Sequence, residues 1–154
     1  MEKKILEINS AVEIAKKKQT QGDLVKASEI YKNLMNKKIY TYDLLVSYGL
    51  FNMEIKNNIL AKKLFIFSIK KYSEFTKPYI LLAEIYSLEN NFKEALKVLL
   101  AAQKNINNNS EIKYNLSVLY KKMGLFNEAL ISIDEALMFS NNIDACQILK
   151  SDIL

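Results

Sequence analysis

The chain has 154 residues, half of them apolar and a quarter charged, with three glycines and one proline. That balance fits a single helical domain with short connections and excludes a disordered chain, which would need fewer apolar and aromatic residues. The net charge of +5 comes from lysine alone, 22 Lys against 17 acids, and the absence of Arg weighs against base-reading or phosphate-forking chemistry.

The first stretch, MEKKILEINSAVEIAKKK, never runs apolar long enough to serve as a signal peptide. It leads through Ile14-Ala15, a large residue followed by a small one, to a turn at Gly22 and then to GDLVKASEIYKNL, with Ala27, Tyr31 and Leu34 at helical spacing. The next segment repeats the sequence of events with Tyr48-Gly49, a turn at Asn57, and NNILAKKLFIFSIK, where Ala61, Phe65 and Ser68 take the same places. Here Leu64, Phe65, Ile66, Phe67 and Ile69 make a helix apolar nearly all round, a pattern of burial on more than one side. The cluster LFIF is far too short to span a membrane. Thr76-Lys77-Pro78 reads as a helix cap with proline in the first turn. Leu82-Ala83, a turn at Asn90, and Ala95, Leu99 and Ala102 follow. After the turn residues Asn107–Asn109 come Leu116-Ser117, a turn at Gly124, and Ala129, Ile133 and Ala136. Asn141-Asn142 then precede a last amphipathic stretch, DACQILKSDIL. The turn positions Gly22, Asn57, Asn90 and Gly124 are expected to hold the left-handed conformation that ends a helix.

Ala27, Ala61, Ala95 and Ala129 are each 34 residues apart, and the flanking pattern keeps that step with no insertion. The repeat divides the chain into units 8–41, 42–75, 76–109 and 110–143, with 144–154 left as a capping helix, all within one domain. A period of 34 with these large and small positions resembles the tetratricopeptide repeat family, most closely in the last unit, with Leu116, Ser117, Tyr120, Gly124, Phe126, Ala129 and Ala136. The departures are Lys113 where the family favours Trp, Lys18 and Asn52 at the equivalents of Tyr120, and the missing repeat-ending proline. The resemblance implies an all-α fold, a right-handed α-solenoid of four helix-turn-helix units closed by a capping helix. The small residues at Ala15, Gly49, Ala83 and Ser117 would let the paired helices cross closely.

The chemistry argues against an enzyme. With no His, the commonest general base and metal ligand is missing; there is no glycine-rich phosphate loop, and nothing calls for a metal or a cofactor. Cys146 stands alone in the capping stretch and reads as a small buried hydrophobe in a reducing, cytoplasmic compartment. What remains is a surface. The resemblance implies a concave groove lined by the first helix of each repeat, which in the family holds an extended or helical peptide. Helical spacing fills it with the stripes Val12, Lys16 and Gln19; Val46, Leu50 and Met53; Ile80, Glu84 and Ser87; and Tyr114, Val118 and Lys121. Such a row suits an apolar or amphipathic peptide, with Lys16, Glu84 and Lys121 steering its approach. The carboxylate-clamp subgroup is rejected, because its positions hold Val12, Lys16, Ser47, Lys77 and Leu81, of which Lys77 alone fits.

The leading expectation is therefore a non-catalytic adaptor, scaffold or chaperone-like module for a protein or peptide partner. A self-associating assembly protein, a homodimer formed through Ile66, Phe67 and Leu100 on the convex side, is the alternative. RNA or another anionic surface on the lysine-rich first half is the weaker third reading. That half, residues 1–75, carries 14 Lys against 8 acids, whereas residues 76–154 carry 8 against 9. Solvated helix faces account for the imbalance most simply, with an acidic partner as the other explanation.

Overall fold

The computed structural model describes residues 2–107, 109–139 and 142–154, so the turn assignments at Asn108 and Asn141 lie outside the described residues. Among the described residues the secondary structure is entirely helical. The chain divides into two compact units, one ending at Tyr72 and the other spanning Ser73–Leu154.

The first unit contains α1 (Glu2–Thr20), α2 (Leu24–Asn36), α3 (Tyr42–Glu54) and α4 (Asn58–Lys71), packed as the successive antiparallel pairs α1/α2 and α3/α4. Its core joins Ile8, Val12 and Ala15 of α1 to Ala27, Tyr31 and Leu34 of α2, and both to Leu44, Leu45, Tyr48 and Phe51 of α3. Tyr31 stacks on Tyr48 with ring centroids 5.0 Å apart and lies 5.4 Å from Phe51, an aromatic layer that fixes α2 against α3. Helix α1 starts six residues before the first repeat, and residues 2–7 of that extension are exposed.

The second unit contains α5 (Thr76–Leu88), α6 (Phe92–Asn105), α7 (Ser110–Lys122), α8 (Phe126–Phe139) and α9 (Ile143–Ser151). Helices α5/α6 and α7/α8 pair in the same way, and α9 closes on α8. Cys146, Leu149 and Ile153 bury themselves against Ala129, Ile133 and Ala136, so the last stretch covers the apolar face of α8 and the thiol is a core group.

The small residues act as the period suggests. Ala15, Ala27, Ala61, Ala95 and Ala129 have no exposed surface. Gly49 is the closest case. A Cβ on it would fall 2.4 Å from Cε1 of the buried Phe65 ring, so only glycine lets α3 and α4 approach this far. In the last pair Ser117 fills the same place, and its hydroxyl donates to the Ala129 carbonyl at 2.8 Å.

The turns depart from the reading in one place. Gly22, Asn90 and Gly124 hold φ of +79°, +58° and +75°, but the second turn places Lys56 there, at +59°, and not Asn57. Lys56 is the residue in step with the other three at a spacing of 34. Asn57 is instead the N-cap of α4, its side chain accepting from the Leu60 N–H, as Asp23 and Asn91 cap α2 and α6. The cap read at Thr76 is also displaced. The N-cap of α5 is Phe75, without a side-chain cap bond, while Thr76 lies inside the first turn and its hydroxyl accepts from Asn109 Nδ2 at 2.9 Å. Asn109 itself caps α7 through Ile112 N–H at 3.1 Å.

Candidate protein-binding surface

The groove positions separate by burial, and each unit carries its own share. In the first unit Val12 is wholly buried among α1, α2 and α3, and Val46 is 5% exposed. Both spend their side chains on packing and offer almost nothing to a ligand. Leu50 and Met53 are half-buried on α3 and keep an open apolar edge. Lys16 pairs with Glu13 at 2.6 Å along its own helix. Gln19, one turn on, donates to the Glu54 carboxylate at the end of α3 and ties the ends of the two first helices together.

In the second unit α5 and α7 leave a cleft of about 140 Å³ between them. Ile80, Ala83, Glu84, Ser87 and Leu88 line it from α5; Asn115, Val118, Leu119 and Lys122 line it from α7; and Leu99 of α6 forms its floor. Four residues read from helical spacing, Ile80, Glu84, Ser87 and Val118, therefore meet in one depression. Lys122 Nζ reaches Ser87 Oγ at 3.2 Å and bridges the two walls. Tyr114 is half-buried against the α8/α9 core and does not line this cleft. Lys121 turns toward α9 and pairs with Asp152 at 3.6 Å. Leu88, Asn115 and Lys122 were not read from the sequence. Leu88 shows as a 65% exposed leucine only in the structure, and Asn115 and Lys122 look like ordinary polar surface until the facing helix is placed.

The walls of the cleft are apolar at depth and carry opposite charges at the rim, Glu84 on α5 and Lys122 on α7. Such a surface can accept an aliphatic side chain and orient the backbone that bears it. Among the described residues no group of three or more metal-ligating side chains comes together. Tyr31 and Tyr48, whose phenols burial makes less acidic, lie in the core of the first unit.

Ile66 on α4 and Leu100 on α6 are 48% and 45% exposed. Phe67 is less free than Ile66. Its ring packs edge-on against Tyr40 at 4.9 Å, which explains why α4 is apolar on several faces. Among the described residues no helix is long and apolar enough to cross a membrane.

No protein-family model and no curated protein matches the chain. Solved structures do match in fold. The MamA protein aligns at 18% identity with a TM-score of 0.73, over 96% of this chain and 86% of that one. A tetratricopeptide repeat protein from Parabacteroides merdae aligns at 17% identity with a TM-score of 0.80, over 95% of this chain and 58% of that one. YrrB, described as a TPR protein with an unusual peptide-binding site, aligns at 15% identity with a TM-score of 0.72, over 89% of this chain and 71% of that one. At these identities the likeness establishes the tetratricopeptide-repeat fold and nothing finer.

Proposed function

We propose that this chain of tetratricopeptide-repeat fold is a non-catalytic binding module that holds an apolar or amphipathic segment of a partner protein against its first helices. The α5/α7 cleft carries the reading, because it brings Ile80 and Val118 together under the rim charges Glu84 and Lys122. In the first unit Leu50 and Met53 are the corresponding open apolar positions, and methionine adapts to varied ligands. Val12 and Val46 support these surfaces from below. Lys16, Tyr114 and Lys121 stand at their edges, held by Glu13, the α8/α9 core and Asp152. The peptide-binding description of YrrB and the absence of His from the sequence favour the same reading. The module acts as an adaptor, scaffold or chaperone-like protein inside the cell, a setting that its single buried thiol suits.

Affinity purification with wild type and with Ile80→Asp tests this, with helicity of both checked by circular dichroism. The carboxylate would sit unpaired on the apolar wall, and a partner recovered with wild type should be lost by tenfold or more, about 1.4 kcal/mol. A partner recovered equally well by both proteins sinks the cleft assignment. The self-association reading keeps Ile66 and Leu100 but loses much of Phe67 to Tyr40, which leaves it second.

A further inference from the structure

The first unit contains a second depression that the groove does not use. It has a volume of about 510 Å³ and lies where the start of α1, the turn between α2 and α3, and the end of α4 converge. Lys4 and Ile5 come from α1, Lys38, Ile39, Tyr40 and Thr41 from the turn, and Lys71 and Tyr72 from α4. Three of its eight lining residues are lysines and none is an acid. The nearest carboxylate side chain in the neighbouring hollow is Glu7, which shares that hollow with Lys4, Ile8, Lys37 and Ile39.

The walls are well fixed. Lys71 Nζ donates to the Tyr40 carbonyl at 2.7 Å, and the Tyr72 hydroxyl donates to the same oxygen at 2.8 Å. Thr41 Oγ caps α3 by accepting from the Leu44 N–H at 3.2 Å. The turn is therefore anchored from both sides. Lys38 projects from it with a left-handed backbone, φ +57°. Among the described residues neither Lys4 nor Lys38 pairs with a carboxylate.

We infer that this depression is a docking site for an acidic, partly aliphatic peptide segment of a partner protein. Its volume lies within the span of about 300–1,000 Å³ typical of ligand clefts. Lysines are point charges that suit separate carboxylates, and Ile5 and Ile39 offer an aliphatic surface between them. A bare inorganic anion would leave that surface uncovered. A single-stranded nucleic acid would need open ring faces, but the Tyr40 ring meets Phe67 at 4.9 Å and Lys71 at 5.9 Å, and the Tyr72 ring meets Tyr42 at 5.9 Å and Lys71 at 5.4 Å. The local charge favours the same occupant, since residues 1–75 carry 14 Lys against 8 acids. This site stands independently of the α5/α7 cleft.

The test uses a fluorescein-labelled synthetic peptide of alternating Glu and Leu, with a Gln-Leu counterpart, read by fluorescence anisotropy on the full chain. Wild type should bind the Glu-Leu peptide, weaken as salt rises from about 50 to about 300 mM, and ignore the Gln-Leu peptide. The exposed pair Lys4→Glu with Lys38→Glu should lower affinity by about tenfold or more, while Glu7→Gln should raise it. Ile80→Asp should leave it unchanged, which separates this site from the cleft in the second unit. Equal binding by the lysine double variant, equal binding of the Gln-Leu peptide, or no binding by wild type would overturn the inference. So would displacement of the peptide by oligouridylate at lower concentration than by unlabelled Glu-Leu peptide. Circular dichroism on each variant shows whether a loss comes from unfolding, and the gain expected of Glu7→Gln cannot arise that way.

Discussion

Tyr31 carries an inconsistency within an otherwise well-packed layer. Its ring is fully buried and stacked on Tyr48, yet its hydroxyl has no hydrogen-bond partner among the described residues. Burial first, and then the charges of Glu13 and Glu54, push its pKa up to about 12. Removing a buried unpaired hydroxyl recovers its desolvation cost, so Tyr31→Phe should stabilise the protein by about 1 kcal/mol in urea unfolding at neutral pH. The pH dependence has a definite sign. The unfolded phenol ionises near pH 10 and the folded one near 12, so the unfolded state binds fewer protons in between and stability falls as pH rises through that window. Below pH 10 this contribution is fully present. Tyr31→Phe should flatten the alkaline loss without abolishing it, because burial also raises Tyr48. Gly49 works in the opposite direction. Gly49→Ala drives a methyl into the Phe65 ring and should cost about 1–3 kcal/mol, read as a lower urea midpoint at unchanged slope. The large-small pair Tyr48-Gly49 made that residue legible in the sequence. The unsatisfied phenol was not, since nothing in the local text says what lies above an oxygen.

Helices here are set by their ends as much as by their faces. Asp23, Asn57, Asn91 and Asn109 each accept an N–H of the first turn, at distances between 3.1 and 3.5 Å. Asn109 also donates across to Thr76 of α5, as Asn57 does to Asn52 of α3, whereas Asn91 has its cap bond. Asn91→Ala should cost about 1 kcal/mol, and Asn109→Ala should cost measurably more, because it removes a cap and an interhelix bond together. Equal thermal shifts for the two variants would show that the Thr76 contact contributes nothing. The 34-residue period gave the helix pairs and their small contact positions without help from the structure. Residue preference misassigned the second turn by one residue, since Asn and Lys both stand there and composition favours Asn for the left-handed place. Lys56 takes it because the phase of the repeat, and not residue preference, decides which backbone unit turns. The buried Asn52 is a related case. Its amide donates to the Tyr48 carbonyl at 2.7 Å and its oxygen accepts from Asn57 at 3.1 Å, so a polar residue fills the place where the third and fourth repeats carry Tyr86 and Tyr120.

At the scale of the molecule, each unit has its own buried layer, and the surfaces available to partners lie at the edges of those layers. The groove positions were legible as a stripe, but a stripe does not say how deep it sits. Val12 and Val46 share spacing with Ile80 and Tyr114, and only the placement of neighbouring helices shows that the first two are covered. The basic depression was less legible still, because Lys4, Lys38 and Lys71 come from three separate segments with no common period. Hydrogen exchange should follow the same division. Amides of α3 and α5, the helices with the most buried residues in their units, should exchange slowest, and residues 2–7 of α1 fastest, with exposed side chains and the helix end beside them. Uniform protection along α1 would contradict this.

The position of Cys146 has a practical consequence. The sulfur lies beneath the last helix, 2% exposed and surrounded by Leu149, Ile153 and the alanines of α8. A thiol-specific reagent can reach it only while α9 is lifted, so modification proceeds at the pace of that opening and not at the pace of the chemistry when reagent is plentiful. With no other cysteine to confuse the signal, the chain carries its own stopwatch for the fraying of its C-terminal end.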